Sequence, residues 1–100
     1  MSQTEHWQIK VETPIGVQSG TLEFTRKGDA IEGRLFNDSG ELKLLSGSIE
    51  GESLRWEVKL LRPIPITIRC QALCEGEQLA GSATVAAFGD INFTGRRIIV

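Results

Sequence analysis

The sequence predicts an all-β protein, a single antiparallel up-and-down meander of about eight strands that closes into a small barrel. Three observations predict it. Apolar and polar residues alternate with a period of two along most of the chain, the mark of strands buried on one face. The alternating runs are short, and clusters of Gly, Asn, Asp and Pro separate them, supplying the φ values of tight turns. Finally, a unit of Gly, acid, one residue, apolar, one residue, Gly recurs. It reads Gly28-Asp29-Ala30-Ile31-Glu32-Gly33, then Gly51-Glu52-Ser53-Leu54-Arg55-Trp56, then Gly76-Glu77-Gln78-Leu79-Ala80-Gly81, with a looser copy at Gly89-Asp90-Ile91-Asn92-Phe93-Thr94-Gly95.

The strands follow in order. Trp7, Ile9 and Val11 set the first, near 6–12, and "TPIG" turns it. Leu22 and Phe24 fix the phase of 17–26, which "RKGD" ends; Ile31 and Leu35 fix that of 30–36, which "NDSG" ends. Leu42 and Leu44 give a fourth strand near 41–49, and "EGE" leads into 53–61, phased by Leu54, Trp56, Val58 and Leu60. Pro63 and Pro65 in "RPIP" cannot donate to a ladder, so they mark a wider turn. Ile66, Ile68, Cys70, Ala72 and Cys74 phase 65–74; after "EGEQ", Leu79, Ala83, Val85 and Ala87 phase 78–88; after "GD", Ile91 and Phe93 phase 91–99. With every connection short, neighbours pair as hairpins. In each repeat the first Gly and its acid make the turn. The apolar residue is the first inward side chain of the returning strand, and the second Gly lets that strand bend or lets another group approach. Repeated curling closes a sheet and removes its exposed edges. A small β-sandwich is the alternative, since its strand pattern reads alike.

One hundred residues make one domain, 1–100, with no linker or low-complexity segment. The aromatic content is 6% with no Tyr, which argues against a base-stacking platform, and the net charge of −2 argues against a phosphate-tracking surface. Nucleic acid is therefore not an expected partner. No apolar run reaches the ~20 residues of a membrane helix. "MSQTEHWQIK" lacks the apolar stretch of a secretory signal, so a cytoplasmic location is expected. Cys70 and Cys74 stand four apart on one alternating strand, roughly 13 Å between Cα atoms at ~3.3 Å per residue. They cannot bond to each other and read as small core residues.

The string of glycine-acid strand starts, Trp7 on the first strand and "FTGRR" on the last resemble the calycin barrels of the streptavidin and lipocalin type. In that group a Trp near the start packs under an Arg from the final strand and closes the barrel floor. The resemblance implies that role for Trp7 and Arg97.

Sorted by face, the strands put the chain's apolar residues inside, with Arg97 the only charged one among them. Concerted acid–base work needs a titratable group within reach of substrate, and no inward His, carboxylate pair or nucleophilic triad appears. His6, the only histidine, falls on the polar face, so no metal set and no cofactor are expected. Trp56 occupies the slot of Gly33 and Gly81, with bulky Leu54 and Val58 in phase beside it. Across from these, Cys70, Ala72 and Ala83 are small, with Val85 and Phe93 completing the wall. Large side chains facing small ones leave room for one small ligand in an eight-stranded barrel. The expected function is thus the binding of an apolar or aromatic small molecule at these eight residues. Two alternatives stand: an assembly subunit with a filled core, or a small-barrel isomerase, cyclase or lyase finishing its reaction with Arg97 or a mouth residue. Phe36, Leu45, Leu61, Leu73, Ala80, Ala86, Phe88 and Ile98 break the polarity of the outer face, so a homo-oligomer is also expected.

Overall fold

A computed structural model describes residues 4–13, 16–38, 40–60, 66–85 and 89–98. Nine strands run through them: β1 Thr4–Thr13, β2 Gly16–Lys27, β3 Ala30–Asn37, β4 Gly40–Lys43, β5 Leu45–Glu50, β6 Ser53–Leu60, β7 Ile66–Glu75, β8 Gln78–Val85 and β9 Gly89–Ile98. All pairings are antiparallel, and β1 pairs with both β2 and β9. With β2 also paired to β3, eight strands form a closed ring in meander order, and β4 adds to β3 as an extra strand. The fold is a barrel, not a sandwich. Leu61, Pro63, Pro65, Ala86, Ala87 and Phe88 lie outside the described residues.

The fourth predicted strand is the one the structure divides. Its first part, β4, pairs with Arg34–Asn37 of β3, and its second part, β5, turns to pair with β6. Between them the Leu44 N–H donates to the Gly33 carbonyl at 3.0 Å. The β5–β6 register runs from Leu45 opposite Glu57 to Ser48 opposite Arg55, so Ser46 and Gly47 together face the single residue Trp56. Two residues against one is a β-bulge, which bends its strand and sharpens the twist. Ser46 takes φ 51° there, a backbone state most side chains avoid. The bulge explains why Trp56 stands where its sister copies carry Gly: the bent strand across from it makes the room.

The sequence repeat is a structural repeat. In each copy the carbonyl of the turn acid accepts a hydrogen bond from the strand beyond its own hairpin. Asp29 accepts from the Ile49 N–H at 2.9 Å, Glu52 from Cys74 at 2.9 Å and Glu77 from Arg97 at 2.8 Å. Gly28, at φ 63°, shows the turn's demand for a left-handed residue. The second glycines meet a different demand. A Cβ on Gly33 would fall on the Glu23 carbonyl oxygen, and one on Gly81 on the Gln71 carbonyl oxygen. Asp90 of the looser copy belongs to the opposite end of the barrel, where it accepts from the Thr84 hydroxyl at 2.9 Å.

Trp7, Leu22, Phe24, Leu54 and Leu79 are fully buried and anchor the core. On the outer face Glu23 links two side chains: His6 Nε2 lies 3.2 Å from its Oε1, and Arg34 Nε donates to its Oε2 at 2.6 Å. Arg34 also reaches Glu41 and lies over the Phe36 ring at 4.1 Å. The Arg34 hydrogen bond is the main reason the Glu23 carboxyl sits below its ordinary value of 4.5. A depressed carboxylate stabilises the fold above its unfolded value and loses that contribution as pH falls through its folded value. Stability measured by urea unfolding is therefore expected to fall below about pH 4.5, and less steeply in Glu23→Gln. Equal slopes in the two proteins would show that the network contributes nothing.

Candidate functional site

The eight residues singled out on sequence face the barrel interior in three registered rows. Trp56 pairs with Cys70, and Cys70 with Ala83; Leu54 pairs with Ala72, then Gly81, then Phe93; Val58 pairs with Ile68, then Val85. Trp56 and Phe93 are in contact across the interior, with ring centroids 6.0 Å apart and planes tilted by 54°. Leu54, Trp56, Val58, Cys70, Ala72 and Phe93 belong to one core cluster, with Ala83 packed against it.

The two ends of the interior differ. Toward the β1–β2, β3–β4 and β8–β9 turns, the inward apolar residues Val11, Leu35, Leu42, Ile68, Ala83 and Ile91 are only partly buried, although Val58 and Val85 are buried among them. Toward the other end the apolar residues Trp7, Phe24, Ile31 and Leu79 are buried, with Ile49 the partly exposed one. That end is floored by charge. Glu5, two residues before Trp7 and on its face, is 6% exposed. Arg26, two after Phe24, donates from Nε to Glu5 Oε2 at 2.5 Å and lies 5.9 Å from the Phe24 ring centroid.

The interior was expected to hold only Arg97 as a polar group, and here the structure differs. Arg97 is the register partner of Trp7, yet its side chain lies exposed. Among the described residues the guanidinium–ring contacts are Arg26 with Phe24 and Arg34 with Phe36. A guanidinium next to the end of β9 reaches water at little cost, whereas Glu5 is held inside because Arg26 compensates its charge.

Among the described residues two buried polar atoms lack a hydrogen-bond partner: the indole Nε1 of Trp7 and that of Trp56. Trp7 is 1% exposed and Trp56 4%. The cysteines are core side chains. Both are free and buried, and burial pushes the Cys70 thiol up to about 11. Cys74 is also raised, first by burial, with Arg26 pulling the other way. Labelling of Cys70 at neutral pH is expected to run roughly a hundredfold below that of an unperturbed thiol, in proportion to its thiolate fraction. Labelling at the unperturbed rate would show that the wall opens. Among the described residues no three His, Cys, Asp or Glu side chains gather as a metal site.

Among the described residues, grooves cross the outer face. One, of about 510 Å³, crosses β7, β8, β9 and β1; another, of about 350 Å³, crosses β6, β7 and β8, and these share Leu73 and Ala80. The most exposed large apolar residues, Val17, Leu45, Leu73 and Ile98, fall on four different strands.

No family model matches the chain, and no curated protein matches its sequence. Among solved structures it is similar to the Trp-176-Ala mutant of the vaccine antigen Transferrin Binding Protein B from Haemophilus parasuis Hp5, with a TM-score of 0.57 at 13% identity. The match covers 99% of this chain and 27% of that one, so the chain spans about a quarter of the protein it resembles. At that identity the likeness is one of fold: a closed antiparallel barrel of lipocalin-like type.

Proposed function

We propose that the protein is a calycin-type binding module whose interior takes one small, largely apolar molecule bearing a hydrogen-bond acceptor. The observation that carries this reading is the Trp56 indole N–H, buried in the wall without a partner. A buried donor left unpaired costs about 1–3 kcal/mol, and an acceptor on a ligand would recover that. Two further features support it. Cys70, the register partner of Trp56, is small, as are Ala72 and Ala83 next to Cys70, and the apolar rim toward the β1–β2 turn is the less buried end, the side from which a ligand would enter. The polar pair at the floor, Glu5 with Arg26, is satisfied within itself and needs no ligand.

Thermal unfolding and Trp fluorescence with 2-nonanone, against nonane as the probe lacking an acceptor, test the reading. At a hundredfold excess over its Kd the ketone is expected to add about 2.7 kcal/mol of stability. Trp56→Phe keeps the ring and removes the N–H. It is expected to weaken the ketone about fivefold, the equivalent of one neutral hydrogen bond of ~1 kcal/mol, and to leave nonane unchanged. An unfolding temperature and fluorescence that respond to neither probe would overturn interior binding.

A further inference from the structure

We propose a second binding site on the outside of the barrel, for a small anion with a short apolar body, in the groove across β7, β8, β9 and β1. Its volume of about 510 Å³ is that of a small-molecule site. Its chemistry comes from the register. Lys10 stands opposite Ser19 on one side and Thr94 on the other; Arg96 stands opposite Gln8 and Gln78. Lys10 and Arg96 are diagonal neighbours on one face, roughly 7–8 Å apart, close enough for one carboxylate to meet both.

These two cations differ from those of the β2–β3–β4 wall in their company, and they share one groove. On the β2–β3–β4 wall, Arg34 is matched to Glu23 and Glu41, and Lys27 to Glu32. Every cross-strand partner of Lys10 and Arg96 is instead a neutral hydroxyl or amide, and neither residue makes an ion pair among the described residues. The one carboxylate lining the groove, Glu75, stands opposite Gln78, two strands and about 10 Å from Arg96. Beside the cations one row of the groove ends in apolar side chains: Leu73, 46% exposed, lies directly across from Ala80, and Ala80 across from Thr94. An anionic head on Lys10 and Arg96 therefore places an alkyl tail along Ala80 and Leu73. The site is separate from the barrel interior, since these side chains point outward.

Amide chemical shifts of the full chain, titrated with decanoate, test the proposal. Decanol and inorganic phosphate serve as probes of each half alone. Decanoate is expected to move the amides of Lys10, Ala80, Thr94 and Arg96. Its affinity is expected to drop at least tenfold in the Lys10→Gln/Arg96→Gln double variant, and by severalfold in Leu73→Ser. Trp56→Phe is expected to leave these shifts as they were, which separates this site from the interior one. Decanol or phosphate binding there as tightly as decanoate would overturn the proposal, because one half of the groove would then be idle. So would decanoate shifts confined to Trp56, Cys70 and Ala72, a result that favours the interior site alone.

Discussion

Gly81→Ala is expected to destabilise the barrel by about 3 kcal/mol or more, well beyond what a glycine in a strand ordinarily costs to replace. The added Cβ has no space. It would overlap the Gln71 carbonyl oxygen and crowd the Cα and Cβ of Ala72, all on the neighbouring strand β7. A carbonyl oxygen in a ladder cannot move aside like the tip of a side chain, so β7 and β8 must separate or twist. Gly28→Ala supplies the comparison, because nothing lies within 4 Å of a Cβ there. Its cost is only that of holding Ala at φ 63°, on the order of 1 kcal/mol. Urea midpoints of the two variants separate a packing demand from a conformational one. Equal losses would mean that β7 and β8 do not approach as closely as described.

That contrast was half visible in the sequence. The repeat showed that the two glycines of the 28–33 and 76–81 copies do different work, one at the turn and one on the curling strand, because their spacing puts the second on the strand's inner face. Strand positions were legible for the same elementary reason: alternation has a period of two and turns carry their own residue types. The bulge was less so. In "ELKLLSGSIE" the apolar phase shifts between Leu44 and Ile49, and that shift is the signal of an extra residue. One continuous strand across 41–49 ignores it. Glu5 was missed for a different reason. It shares the phase of Trp7, as Arg26 shares that of Phe24, but both stand at strand ends, where a charged residue reads as the point at which burial stops. Only their mutual approach, with β1 opposite β2, brings the carboxylate inside. For the candidate site, sequence gave the lining by phase. The unpaired indole donors depend on ring orientation, which no pattern of residue types encodes.

Trp7→Ala is expected to cost about 3–5 kcal/mol, as for other large aromatics cut from a packed core. Trp7 is among the largest fully buried side chains, and it lies between the strands that close the ring, opposite Leu22 of β2 and Arg97 of β9. Trp7→Phe is expected to lose much less. Its smaller ring gives up some contact, but the change also removes an N–H that is buried without a partner, an offset of about 1–3 kcal/mol. The same residue tests how the floor is held. Were Arg97 stacked on the indole, Trp7→Ala and Arg97→Ala would be coupled by 0.5 kcal/mol or more, as contacting pairs are. With Arg97 exposed and Arg26 bound to Glu5 instead, the expected coupling is smaller than ~0.5 kcal/mol. Arg26→Ala is expected to cost more than Arg97→Ala, because it strands the Glu5 carboxylate in the interior. A double-mutant cycle by chemical denaturation measures both. Strong coupling of Trp7 to Arg97, together with a silent Arg26→Ala, would move the floor of the barrel from the Glu5–Arg26 pair to the indole–guanidinium stack.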